Sequence, residues 1–193
     1  NTVTLVDKKA FAACKDLTTV IFEEGGTADL ILGKANSTTA NGPFNGCSAL
    51  ASVNLPERLT KIGAGTFYST ALTEITIPST VVEIWNGAFQ SASDLATVNL
   101  AEGSQLTKIK GAAFRGTAIT AFAFPDAVTE IAAGSFNETQ LQSLKLPASL
   151  STLTNAFQNV ATLTSVEFAA NNKITAIPAS AFAGTGLTTI TIP

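Results

Sequence analysis

Eight of the twelve phenylalanines return along the chain at nearly constant spacing. Phe11, Phe44, Phe67, Phe89, Phe114, Phe136, Phe157 and Phe182 are separated by 33, 23, 22, 25, 22, 21 and 25 residues. A unit of about 22 residues is too short to bury an apolar side of its own, so self-similarity at this period means that units stack and cover one another. The same apolar skeleton surrounds each ring. Five or six residues after it come Leu17, Leu50, Leu72, Leu95, Ile119, Leu141, Leu163 and Leu187. Three further on stand Val20, Val53, Ile75, Val98, Phe122, Leu144, Val166 and Ile190, and two beyond those Phe22, Leu55, Ile77, Leu100, Phe124, Leu146, Phe168 and Ile192. Five units then carry a proline, Pro56, Pro78, Pro125, Pro147 and Pro193, before a second apolar pair such as Leu59/Ile62 or Val81/Ile84.

Side-chain periods turn this skeleton into structure. In Leu72-Thr73-Glu74-Ile75-Thr76-Ile77 the closing alternation is that of a strand, with Ile75 and Ile77 on one face and Glu74 and Thr76 on the other. Proline removes a backbone donor and keeps each strand short. No long amphipathic helical pattern separates one strand from the next. The expectation is a solenoid of about eight repeats of 22–23 residues, formed as a single domain over 1–193. Short parallel strands would pair about 4.8 Å apart through the V-x-I segments. The back side would be irregular, 3-10 or a second strand.

The unit resembles the leucine-rich repeat of the BspA-like (Treponema pallidum type) family. The run Leu72-Thr73-Glu74-Ile75-Thr76-Ile77-Pro78-Ser79-Thr80-Val81-Val82-Glu83-Ile84-Trp85-Asn86-Gly87-Ala88-Phe89 carries the likeness best, and eight such units stand in phase. Like that family, the chain lacks the asparagine ladder of ordinary leucine-rich repeats. The resemblance implies an extracellular or cell-surface protein of a host-associated bacterium or a surface-rich protist, with relatives acting as adhesins. It also implies that the cysteine three residues after the phenylalanine is a small buried residue. Cys14 and Cys47 both occupy that place, in adjacent units. Parallel stacking aims their Cβ bonds the same way, which suits a disulfide poorly, so two free, buried thiols are expected.

Composition narrows the function classes. With 46% apolar residues the chain is not disordered. Only 13% of its residues are charged, against about 25% in a usual domain, so hydroxyl and amide side chains cover its surface. Eleven scattered cations and a net charge of −3 leave no footprint for nucleic acid. No run of 18 apolar residues exists to form a membrane-spanning helix. Histidine is absent, which removes the commonest general base and metal ligand. No G-x-S-x-G, phosphate-binding loop or metal-ligand spacing occurs. The expectation is a protein without catalytic residues, metal or cofactor.

Candidate binding residues come from departures and exposed positions. Between Phe22 and Phe44 the unit gains about ten residues, Glu23 to Pro43, expected as a loop at 23–43 that either binds or is a tolerated insertion. Trp85 and Tyr68, the only Trp and Tyr, stand in variable slots expected to face solvent beside the core, where an aromatic can anchor a partner. The outward strand positions are small, hydroxylic and nearly uncharged, and among them Glu74, Asn54 and Asn99 are the candidates for a shallow protein or glycan surface. The sequons at Asn36 and Asn137 matter only in a source that glycosylates. Asn1 and Pro193 fall in one phase of the unit. That phase suggests a piece of a longer surface protein, with signal or anchor outside it, apolar residues exposed around Leu187, Ile190 and Ile192, and end-to-end self-association. Two readings follow: an adhesin-like, non-catalytic interaction module for a protein or glycan, or a passive spacer that holds another domain off the cell envelope.

Overall fold

The computed structural model describes residues 2–34 and 41–192, and it is a β-solenoid of short parallel strands with no cis peptide. Seven strands, one from each coil from that of Phe11 to that of Phe157, form its longest sheet: β1 (Leu5–Val6), β3 (Leu30–Leu32), β5 (Leu59–Ile62), β7 (Glu83–Ile84), β9 (Lys108–Ile109), β10 (Glu130–Ile131) and β12 (Thr152–Leu153). These are the second apolar pairs, after the proline position. The V-x-I segments, expected to form one continuous ladder, instead give three two-stranded sheets. They are β2 (Thr19–Ile21) with β4 (Ser52–Asn54), β6 (Glu74–Ile77) with β8 (Thr97–Leu100), and β11 (Ser143–Leu146) with β13 (Ser165–Phe168).

The prolines explain the breaks. Where the incoming coil has no proline, its backbone amide closes the ladder: Ala101 donates to the Ile77 carbonyl at 3.0 Å and Ala169 to that of Leu146 at 2.9 Å. Pro78, Pro125 and Pro147 stand at the same position and have no N–H to give. Among the described residues no strand pairing joins β4 to β6, β8 to the coil of Phe122, or that coil to β11. Pro56 should likewise separate β4 from β2, yet these strands pair. There the Asn54 carboxamide stands in for a peptide group. Its Oδ1 accepts the Phe22 amide at 2.8 Å, and its Nδ2 donates to the Phe22 carbonyl at 3.2 Å.

A further ladder runs through the turns around each phenylalanine. Phe67 donates to the Ala88 carbonyl at 2.7 Å, Phe89 to Ala113 at 2.7 Å and Phe114 to Ser135 at 2.8 Å, so each coil gives a bond to the next. Keeping three amides of the turn aimed at the neighbour needs left-handed residues two before and two after the ring, such as Gly87 (φ 58) and Ser91 (φ 59). The rings themselves form one column. Consecutive centroids along it lie 5.1 to 5.7 Å apart, with interplanar angles of 3° to 20°. Phe44 through Phe157 are buried in it, and the leucines and isoleucines of both strand sets close around them.

Three expectations change here. The 23–43 segment is not simply a loop, because it contains β3, which pairs with β1 and β5 and buries Leu30 and Leu32 completely. Residues 35–40, with the Asn36 sequon, lie outside the described residues. The two thiols are free, but only Cys47 is buried, whereas Cys14 is exposed. Cys47 Sγ donates to the Phe11 carbonyl at 3.0 Å, and desolvation pushes its thiol pKa upward. Thr70, Thr117 and Thr139, at the same place in later coils, cap the carbonyl of their own phenylalanine at 2.8 to 3.0 Å. At the last described coil Ile190 and Ile192 are exposed as expected, while Leu187 is half-buried.

Candidate functional site

Three of the five sequence-predicted residues line one hollow. Asn54, Glu74 and Asn99 stand around a depression of about 470 Å³ where β4 and β6 fail to pair. Val53, Leu55, Ile75 and Pro78 supply its apolar lining, and Ser52, Glu57, Thr73 and Thr76 its polar lining. The open seam accounts for the shape. Ile75 and Ile77 are buried under β8, but Val53 and Leu55, their equivalents one coil earlier, are only half-buried.

The three side chains differ in what they have left to offer. Asn54, expected as a binding residue, is already committed to Phe22 and acts first as a brace. Asn99 occupies the same place in its coil, where Ala101 supplies the backbone bond, so its carboxamide is not needed for bracing. Glu74 is exposed and makes no ion pair among the described residues. The other charges on this outward face, Lys145 and Glu167, pair with each other at 3.2 Å. Glu57, which inspection of strand positions missed because it follows Pro56 in a turn, takes a hydrogen bond from Ser79 Oγ at 3.2 Å.

Trp85 and Tyr68 are not part of this hollow, and both are half-buried rather than fully exposed. Trp85 follows β7 and borders an apolar hollow of about 260 Å³ shared with Leu5, Ile31, Gly33, Lys34, Lys61 and Gly63. Gly63 must be glycine, because a Cβ there would overlap the Leu32 carbonyl of the coil below. Lys110 Nζ stands 5.9 Å from the indole centroid, and the indole Nε1 is buried without a partner among the described residues. Tyr68 belongs to the phenylalanine turn. Its carbonyl accepts the Gly46 amide at 2.8 Å, and its side chain adds to the field at Arg115, whose pKa is raised chiefly by the Glu138 carboxylate 2.7 Å away.

Charges elsewhere follow the stacking. On the seven-stranded sheet Glu83 sits between Lys61 at 3.6 Å and Lys108 at 3.4 Å, and Lys110 meets Glu130 at 2.8 Å. The Asp7 carboxyl is held below its usual range by the Lys8 amide and by Lys34 at 3.2 Å. The second sequon is partly engaged, because Asn137 Oδ1 accepts the Gln158 amide at 2.8 Å. Among the described residues no group of three or more Cys, Asp or Glu is placed to hold a metal ion, and no helix is long and apolar enough to cross a membrane.

Comparison with known proteins agrees with this architecture. The family model described as the BspA type leucine rich repeat region matches residues 27–131 and 102–193, in six copies. A leucine-rich repeat protein from Eubacterium ventriosum is 25% identical, with a TM-score of 0.62 over 80% of this chain and 40% of that one. The pneumococcal vaccine antigen PcpA is 18% identical, with a TM-score of 0.66 over 100% of this chain and 56% of that one. The leucine rich repeat protein of T. pallidum is 22% identical, with a TM-score of 0.52 over 92% and 64% respectively. The chain therefore spans less than two thirds of the length of each of these structures. No curated protein matches it closely enough to count as a relative. Six repeat copies over more than half the sequence, stacked as the geometry requires, make this chain a member of the BspA-type leucine-rich repeat family.

Proposed function

We propose that the chain is a non-catalytic, adhesin-like interaction module of a bacterial cell surface, acting as one domain over 1–193 and binding a protein or glycan outside the cell. One observation carries this reading. Exposed polar side chains of three consecutive coils, Asn54, Glu74 and Asn99, collect around a single hollow on an otherwise plain hydroxylic face. A hollow that is broad, shallow and half polar suits a macromolecular surface better than a small molecule, which favours enclosed and mainly apolar cavities. Membership of a repeat family whose fold serves as a scaffold agrees with a binding role.

The spacer reading has its own support in the unbroken seven-stranded sheet and the phenylalanine column, both of which stiffen the molecule along its length. A binding screen separates the two. The chain, Glu74→Gln and Trp85→Ala are passed over immobilised matrix proteins and a glycan panel. Saturable binding that Glu74→Gln weakens is the expected result. Absence of binding across the panel would favour the spacer, and binding lost only in Trp85→Ala would move the site to the other hollow.

A further inference from the structure

The hollow between β4 and β6 has a particular chemical bias, which deepens the interaction-module reading and rests on it. Its lining holds two carboxylates, Glu57 and Glu74, and no lysine or arginine. The strand edges add backbone acceptors and donors. Thr97 and Ala101 of coil four donate their amides to the carbonyls of Thr73 and Ile77 in coil three. At the open seam β6 is not paired with β4 among the described residues, so the carbonyls of Ala51, Val53 and Leu55 are left on a free edge, alternating with the amides of Val53 and Leu55 and facing those of Glu74 and Thr76. Between these groups the half-buried Val53 and Leu55 leave apolar surface.

Such a site matches one kind of side chain: an aliphatic stem that ends in a cation. We propose that this hollow receives a lysine or arginine side chain of a partner protein. The stem lies along Val53 and Leu55, and the ammonium or guanidinium group is met by Glu74, Glu57 and the free carbonyls on the edge of β4. Charge complementarity identifies the occupant, because Glu74 is the one charge of the outward face left without an opposite partner among the described residues. Its formation depends on Pro78, which has no amide to close the seam, and on Thr76, which stands where Asn54 braces the previous coil.

The test uses the whole chain and four peptides of one Gly/Ser sequence that carry two lysines, two arginines, two glutamates or two norleucines. Isothermal titration should show binding of the lysine and arginine peptides only. Glu74→Gln should weaken it about tenfold, whereas Asp126→Asn, an equal charge change on another coil, should leave it unchanged. Thr76→Asn keeps every charge and supplies a brace for Pro78 like that of Asn54, so it should close the seam and abolish binding. Equal loss in Asp126→Asn and Glu74→Gln would mean attraction to the net charge alone and would overturn the proposal. Binding of the norleucine peptide as tight as the lysine peptide would overturn it too. If no peptide binds while a matrix protein still does, the lysine site fails and the interaction module stands. If neither binds, both readings fall together.

Discussion

At the scale of single residues, equivalent positions do different work because of one neighbour. Asn54 and Asn99 hold the same place in their coils, yet Asn54 replaces the amide that Pro56 lacks and Asn99 has Ala101 beside it. Asn54→Ala is therefore expected to cost about 1 kcal/mol, the net worth of an ordinary hydrogen bond, while Asn99→Ala stays within about 0.5 kcal/mol. Urea unfolding of the two variants measures the difference, and equal costs would remove the brace. The cysteines differ as sharply. Cys14 is exposed, whereas Cys47 is buried with its thiol pKa raised by desolvation. A thiol reagent at pH 8 should modify one equivalent in the native protein and the second only on unfolding. Because the folded value lies above the unfolded one, the stability from burying the neutral Cys47 thiol is complete below the unfolded value. It fades as pH rises through the folded one.

At the scale of elements, the period of the phenylalanines makes the coil, its length and its core legible in the sequence. The division of labour between strands is not legible there. Alternation marks Ile75 and Ile77 as a strand, but Val81 and Ile84 are three apart, so nothing in their spacing announces that β7 belongs to the longest sheet. That sheet is continuous through β12 because no proline stands at its ladder-closing position before Pro178, whereas the V-x-I ladder is cut wherever one follows without a brace. The signal lies in Pro78, Pro125 and Pro147, taken as missing donors. Likewise Leu30 and Leu32 in the 23–43 segment carry the spacing of a short strand. The phenylalanine column is the element on which all coils depend. Phe89, fully buried and stacked on Phe67 and Phe114, should cost about 3–5 kcal/mol when cut to alanine, as core phenylalanines do. A calorimetric loss below about 1 kcal/mol would mean that the column does not hold the stack.

At the scale of the whole molecule, each coil touches its neighbours alone, and identical coils would present an identical surface along the entire solenoid. The seam that Pro78 and Thr76 leave open is one of three, beside those at Pro125 and Pro147, and what singles it out is Glu74 with Asn99, which line it. The central claim is that this opening exists in solution and is where the protein meets its partner. Residue-resolved amide hydrogen exchange, with and without the lysine peptide, tests it most directly. The Glu74 and Thr76 amides, which face the open edge, should exchange much faster than those of Thr97 and Ala101, which are bonded across the closed ladder of β6 and β8. Saturating peptide should slow Glu74 and Thr76 and leave Thr97 and Ala101 unchanged. Protection of Glu74 and Thr76 in the free protein equal to that of Thr97, or no change when the peptide is bound, would contradict the account.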